Sequence, residues 1–271
     1  MGKLDGKVAF ITGAGRGQGR SHAIRLAQEG ADIIAIDICA PMESVTYGLA
    51  TPEDLDQTAN SVEAEGRRVV ARKADVRDVE GLRAAFEEGT AELGPVDIVL
   101  ANAGIGVGGA VSPEQTWDDA IGVNLTGVWN TGRIAIPSML EANKGGSIVL
   151  TSSTGGLIGP GINEPGLVAY TASKHGVIGL MRCWANFLAP HMIRVNSVAP
   201  TAVRTPMAAD ININELMKFN PALASSLTNP MPVDKVEPED VTNAIVWLVS
   251  DEARYVTGSI IAVDAGLLNK K

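Results

Sequence analysis

Aromatic residues make up only 4% of this 271-residue chain, and it has just two cysteines, Cys39 and Cys183. The thiols lack metal-ligand spacing, and His22, His175 and His191 form no cluster with carboxylates, so no metal site is expected. There is no basic run, and the net charge is −9. That balance argues against nucleic acid as a partner, since such affinity comes from Lys and Arg neutralising phosphates. No stretch approaches the roughly 18 apolar residues that span a bilayer, so no membrane association is expected. Residues 1–7 lead straight into a short apolar segment, without the apolar run and small-residue cleavage site of a signal peptide. The expectation is a cytoplasmic protein.

What the chain does have is small and apolar: 45% hydrophobic residues and 30 glycines. Cores of Ala, Val, Ile and Leu around close-set backbones suit parallel sheets. Apolar runs at 8–11, 31–36, 68–74, 96–100, 147–151, 194–199 and 259–263 read as seven strands. Helical patterns lie between them, among them 53–65, 79–93, 117–139 and 238–248. Strand and helix alternate with no repeat or linker, which predicts one α/β domain over 1–271, doubly wound, with a seven-stranded parallel sheet flanked by helices.

The first strand runs into Thr12-Gly13-Ala14-Gly15-Arg16-Gly17-Gln18-Gly19 and then a helix. Glycines allow a tight turn and close approach of backbone N–H groups to a phosphate, and the helix N-terminus adds partial positive charge. Asp37 closes the second strand, near where dinucleotide folds place an acid on ribose hydroxyls. Arg16 hints at NADP, but Asp37 repels a 2′-phosphate, so NAD is the expected cofactor. Residues 38–52 have no helical or alternating period and are long for a βα connection. They read as an insertion beside Asp37, and the apolar Ile38, Met42, Val45, Tyr47 and Leu49 suggest that it folds over something. Asn102-Ala103-Gly104 ends the fourth strand with small residues that let backbone pass close to a cofactor, and Asn102 can brace neighbouring strand ends. Tyr170 and Lys174 lie one helical turn apart, so a helix turns both the same way. A phenol serves as a proton donor and acceptor near neutral pH only if its anion is stabilised, and a neighbouring cation can do this. Residues 201–238 contain Met207, Leu216, Met217, Phe219 and Leu223, a segment able to cap an apolar pocket.

Together, Thr12-Gly13-x-x-x-Gly17-x-Gly19, Asn102-Ala103-Gly104, Asn124, Ser153 and Tyr170-x-x-x-Lys174 resemble the short-chain dehydrogenases/reductases over essentially the whole chain. The resemblance implies a single Rossmann-type domain. It also implies a general acid/base at Tyr170, a lysine at 174 that holds the nicotinamide ribose, a serine on the substrate oxygen and a water relay supported by Asn124. Ser153 is preferred for the serine, with Ser152 as the alternative. The same resemblance places the cofactor on Gly13, Arg16, Gly17, Gln18, Gly19, Asp37, Ile38, Asp75, Val76, Asn102, Ala103, Gly104, Tyr170, Lys174, Pro200, Val203 and Thr205. Gln18 stands where many members carry Ile or Leu.

Asp37-Ile38-Cys39-Ala40-Pro41 and the following Leu49-Ala50-Thr51-Pro52-Glu53-Asp54-Leu55 look like the insertion of the mycofactocin-dependent, carveol-dehydrogenase-like subgroup. This implies NAD that does not exchange and is reset in place by mycofactocin, a peptide-derived redox carrier. The substrate implied is a small hydrophobic secondary alcohol or ketone, in a pocket drawn from 104–109, 157–167 and 207–223, although those side chains read equally well as core. The assembly implied is a homotetramer. Two other readings stand beside this one: an ordinary dehydrogenase with freely exchanging NAD, and a non-catalytic NAD-binding sensor.

Overall fold

The inner apolar runs become strands because both of their faces are covered, while the two edge strands stay partly exposed. A computed structural model describes residues 2–159, 161, 163–209, 218 and 220–270. Its strands are β1 (Val8–Thr12), β2 (Asp32–Asp37), β3 (Val69–Lys73), β4 (Ile98–Ala101), β5 (Gly146–Thr151), β6 (Ile193–Pro200) and β7 (Ile260–Val263). They form one sheet in the order β3-β2-β1-β4-β5-β6-β7, every neighbouring pair parallel.

Side chains alternate between two cores. Val8, Phe10, Ile34 and Ile36 point to the face covered by α3 (Val79–Leu93), α5 (Gly127–Ala142) and α6 (Pro165–Leu188). Ala9, Ile11, Ile33 and Ala35 point to the face covered by α1 (Gly17–Gln28), α2 (Pro52–Ala64) and α8 (Pro238–Val249). Helix starts are set locally. Thr51 and Asp54 form a reciprocal capping box before α2, Asp78 caps α3, and Glu164 caps α6 ahead of Pro165.

The chain leaves β1 towards β2 on one side and later adds β4 on the other, so a crevice opens at the C-terminal ends of β1 and β4. The helix expected over 117–139 is broken. It is α4 (Pro113–Ile121), a π-helical segment (Gly122–Thr126) and α5, with Asn124 in the π segment. In the 201–238 region, Val203 bridges Val236, Pro206–Ala208 forms a short 3₁₀ turn, and α7 (Pro221–Leu227) follows. Leu216, Met217 and Phe219, expected in the cap, lie outside the described residues, as does the side chain of Leu223. Among the described residues no helix is long and apolar enough to cross a membrane.

Candidate active site

Two cavities meet at the crevice. The first is a cleft over the glycine turn, lined by Gly13, Arg16, Gly17, Gln18, Gly19, Asp37, Ile38, Asp75, Val76, Asn102, Ala103 and Gly104. Gly13 has φ +70°, and a Cβ there would come within 2.8 Å of the Ala103 backbone, so turn and cleft floor both require glycine. Arg16, at the N-cap of α1, makes no side-chain capping bond, so the first-turn N–H groups remain available to an anion. Asp37 is buried; its Oδ2 accepts from Gly15 N at 2.9 Å and its Oδ1 from Cys39 N at 3.3 Å. It thus binds the glycine turn to the start of the insertion. Both oxygens of Asp75 accept from the Arg77 side chain. Asn102 donates to the carbonyls of Thr12 and Gly13 and accepts from Thr151, tying β1, β4 and β5 together.

A dinucleotide fits this donor set. The α1 N-terminus and Arg16 suit phosphate, the Asp37 carboxylate suits ribose hydroxyls, and Ile38, Leu49 and Val76 supply apolar walls for a flat base. The buried Oε1 of Gln18 has no protein partner.

Residues 38–51, between β2 and α2, cross this cleft without helix or strand. They form a strap. Met42, Val45 and Leu49 pack on the core, and Met42, Tyr47, Leu49 and Ala50 line the cleft. The far side is the loop after β4: Gly108 and Gly109 donate to the Ser44 carbonyl, and Gly106 N donates to the Tyr47 hydroxyl at 3.0 Å. A Cβ at Gly109 would collide with the Glu43 carbonyl oxygen.

The second cavity, about 300 Å³, is predominantly apolar and is lined by Gly106, Val107, Ile158, Leu167, Met207, Ala208 and Leu227, with Ser153, Tyr170 and Lys174 at one end. Pro200, Val203 and Thr205 line it too, and Thr205 also packs against Gly17. Leu157, expected in this wall, packs on the core instead. The two serines divide. Ser152 is buried and donates to the Lys174 carbonyl at 2.9 Å, whereas the half-buried Ser153 accepts from Gly155 N and faces Tyr170. Lys174 Nζ donates to the Thr151 carbonyl at 2.9 Å and stands 5.7 Å from the centre of the Tyr170 ring. Asn124 is fully buried, its amide paired both ways with the Ile105 backbone at 2.8 and 2.9 Å.

Burial dominates the titration of the pair. It pushes the Tyr170 phenol above its ordinary value, with the Ser153 hydroxyl pulling the other way, and lowers Lys174 to about 8. The expectation that Lys174 lowers the phenol is not met in the protein alone, where desolvation raises it and the opposing pull comes from Ser153.

A family model described as enoyl-(acyl carrier protein) reductase matches residues 13–268. The (−)-trans-carveol dehydrogenase of Rhodococcus erythropolis is 48% identical over 279 residues, covering 98% of this chain and 99% of that protein. An uncharacterized oxidoreductase of Mycobacterium tuberculosis is 52% identical over 269 residues, covering 99% of this chain and 98% of that one. The crystal structure of a carveol dehydrogenase from Mycobacterium avium in complex with NAD matches with a TM-score of 0.90 at 49% identity, covering 100% of each chain. The chain belongs to the short-chain dehydrogenase/reductase family.

In this short-chain dehydrogenase/reductase, three features of the site escape sequence reasoning. Thr151 contributes a carbonyl, which no side-chain motif announces. Tyr47 is recognisable in sequence only as an apolar member of the insertion, yet its hydroxyl reaches across the cleft to Gly106. The π segment carries Asn124 at its pairing with Ile105, a contact set by the fold rather than by local propensity.

Proposed function

We propose that this oxidoreductase interconverts a small hydrophobic secondary alcohol and its ketone, using NAD that stays under the 38–51 strap and is reset there by mycofactocin. The observation that carries the reading is the convergence of Ser153, Tyr170 and Lys174 at the end of an apolar cavity that opens onto the strapped cleft. When bound, NAD supplies the hydride acceptor or donor and, when oxidised, a positive charge beside the phenol.

Tyr170 then exchanges a proton with the substrate oxygen at its hydroxyl, and Ser153 holds that oxygen by a hydrogen bond. Lys174, fixed by Thr151, would hold the nicotinamide ribose hydroxyls, and it adds positive charge near the phenol. The Asn124 amide gives one N–H and one lone pair to Ile105, which fixes its orientation beside the site and leaves its second N–H and second lone pair for a water relay. Asp37 would hold the adenosine ribose, Asp75 and Val76 the adenine, and Val203 and Thr205 the nicotinamide side. A cyclic terpenoid alcohol suits the lining of the second cavity, and the relative from Rhodococcus is named for one. The exposed Trp129, Phe187 and Tyr255 support assembly through helix faces and the β7 side, as expected of a homotetramer.

The strap favours retention over free exchange, because it is tied at Ser44 and Tyr47 to the opposite loop. Denaturing the purified protein and quantifying released NAD, after incubation with labelled NAD, tests this. Stoichiometric unlabelled NAD is expected; complete label uptake within minutes would leave an ordinary dehydrogenase. Tyr170→Phe tests the chemistry. Its hydride transfer is expected to fall about 10²- to 10⁴-fold with NAD still bound, whereas unchanged turnover would sink the catalytic assignment.

A further inference from the structure

The alcohol cavity carries charge that the reaction does not use. Asp234 and Lys235, on the segment that leads from α7 to α8, both line it. The backbone around them is pinned. Asn229 donates to the carbonyls of Val233 and Asp234 and accepts from the Thr201 hydroxyl, while Val236 N donates to the Ala202 carbonyl and Arg204 N to the Val236 carbonyl. The place of Lys235 in the wall is thus set by the main chain on both sides of it.

The two charges differ in their surroundings. Asp234 is exposed and lies near the Arg204 guanidinium, which its hydrogen bond to Glu237, and then Asp234, hold above the ordinary arginine range. Lys235 is half-buried, and its ammonium makes no ion pair or hydrogen bond with a described residue. It also stands away from the reacting end, since Tyr170 and Lys174 titrate under burial and the Ser153 hydroxyl alone. The apolar wall of Val107, Ile158, Leu167, Ala208 and Leu227 offers it no counter-charge. An ammonium partly withdrawn from water beside apolar side chains gains more from an arriving anion than an exposed one does.

We propose that Lys235 is a specificity-determining residue that binds a carboxylate carried by the substrate away from its hydroxyl. This rests on the alcohol reading above and narrows it: the preferred substrate is an apolar ring or chain with a secondary alcohol at one end and an acid at the other. In a chain of net charge −9 such an anion needs a local cation, and Lys235 supplies it. The pairing also fixes which end of the molecule reaches Tyr170, a choice that apolar walls alone do not make.

The test uses the protein with NAD bound and two probes of nearly the same shape, trans-4-hydroxycyclohexanecarboxylate and the corresponding uncharged carboxamide. Calorimetry gives the affinity of each, and the absorbance of reduced nicotinamide gives the single-turnover rate. Wild type is expected to bind the acid about tenfold more tightly than the amide. Lys235→Met should bring the two within about threefold by weakening the acid alone, whereas Lys235→Arg and Asp234→Asn should keep the preference. Equal affinities in wild type overturn the proposal, as does a preference that survives in Lys235→Met. The two levels of failure are distinguishable: absence of the Lys235 effect with nicotinamide still reduced removes this proposal alone, and nicotinamide that neither probe reduces removes the alcohol reading and the proposal with it.

Discussion

Lys174 and Tyr170 stand 5.7 Å apart, ammonium to ring centre, and the ammonium's hydrogen bond goes to the uncharged Thr151 carbonyl. A cation buried in this way is held at a cost to stability, and that cost has a pH signature. Lys174 titrates at about 8 in the folded chain, against about 10.4 when unfolded. Between these values the unfolded chain binds the proton that the folded chain has released, so stability rises with pH across the window, by about 3 kcal/mol in all. In Lys174→Met this rise is absent. The variant should therefore gain on cofactor-free wild type at about pH 7 and lose that advantage by about pH 10. Urea unfolding across the window checks it, and a pH-independent difference would contradict the assignment.

The serines separate by readout. Ser152→Ala breaks a buried hydrogen bond to the Lys174 carbonyl and should cost about 1 kcal/mol of stability with little effect on chemistry. Ser153→Ala should lose a capping bond from Gly155 N, at a cost of about 0.5–1 kcal/mol, and lower turnover about a hundredfold, as loss of one oxyanion donor does. Reversal of these two outcomes, in paired melting and kinetic assays, would move the catalytic role to Ser152.

Asp37 has two tasks. Its carboxylate holds Gly15 and Cys39, and a 2′-phosphate would meet it as a like charge. Asp37→Ala should reduce the preference for NAD over NADP by at least about tenfold and also lower stability through the two lost bonds. Competitive binding of the two dinucleotides measures the first effect, and unchanged discrimination would remove the ribose role.

The strap's hold on the cleft should be adjustable at one atom. Tyr47→Phe removes the acceptor for Gly106 N while keeping the ring, and should speed NAD exchange about three- to tenfold. Gly109→Ala, which forces the Glu43 carbonyl away, should speed it further. Label exchange followed over time gives both rates, and rates equal to wild type would show that the strap does not control release.

The sheet was legible because strands buried on both faces must read as continuous apolar runs, as 33–36 and 98–101 do. The glycine turn, Asp37 and the Tyr170–Lys174 pair were legible because each needs particular residue types at fixed spacing. The break at Gly122–Thr126 was not, since the partner that Asn124 meets there, Ile105, is brought to it by the fold and is not announced by local propensity. Nor was the balance of charge at the pair. Spacing says that Lys174 is near Tyr170, but only the depth of burial says that desolvation raises the phenol and lowers the ammonium in the protein alone. Leu157 shows the same limit, since an apolar residue beside a pocket and one in the core look alike in sequence.

The Gly106 peptide belongs to two structures at once: it lines the alcohol cavity and donates to Tyr47 of the strap. Binding equilibria that share such a group obey reciprocity. Whatever factor a seated alcohol contributes to keeping the strap shut, a shut strap returns as the same factor in the alcohol's affinity. On the reading proposed above, substrate affinity and closure of the strap are therefore linked at Gly106, and a substitution that changes one is expected to change the other.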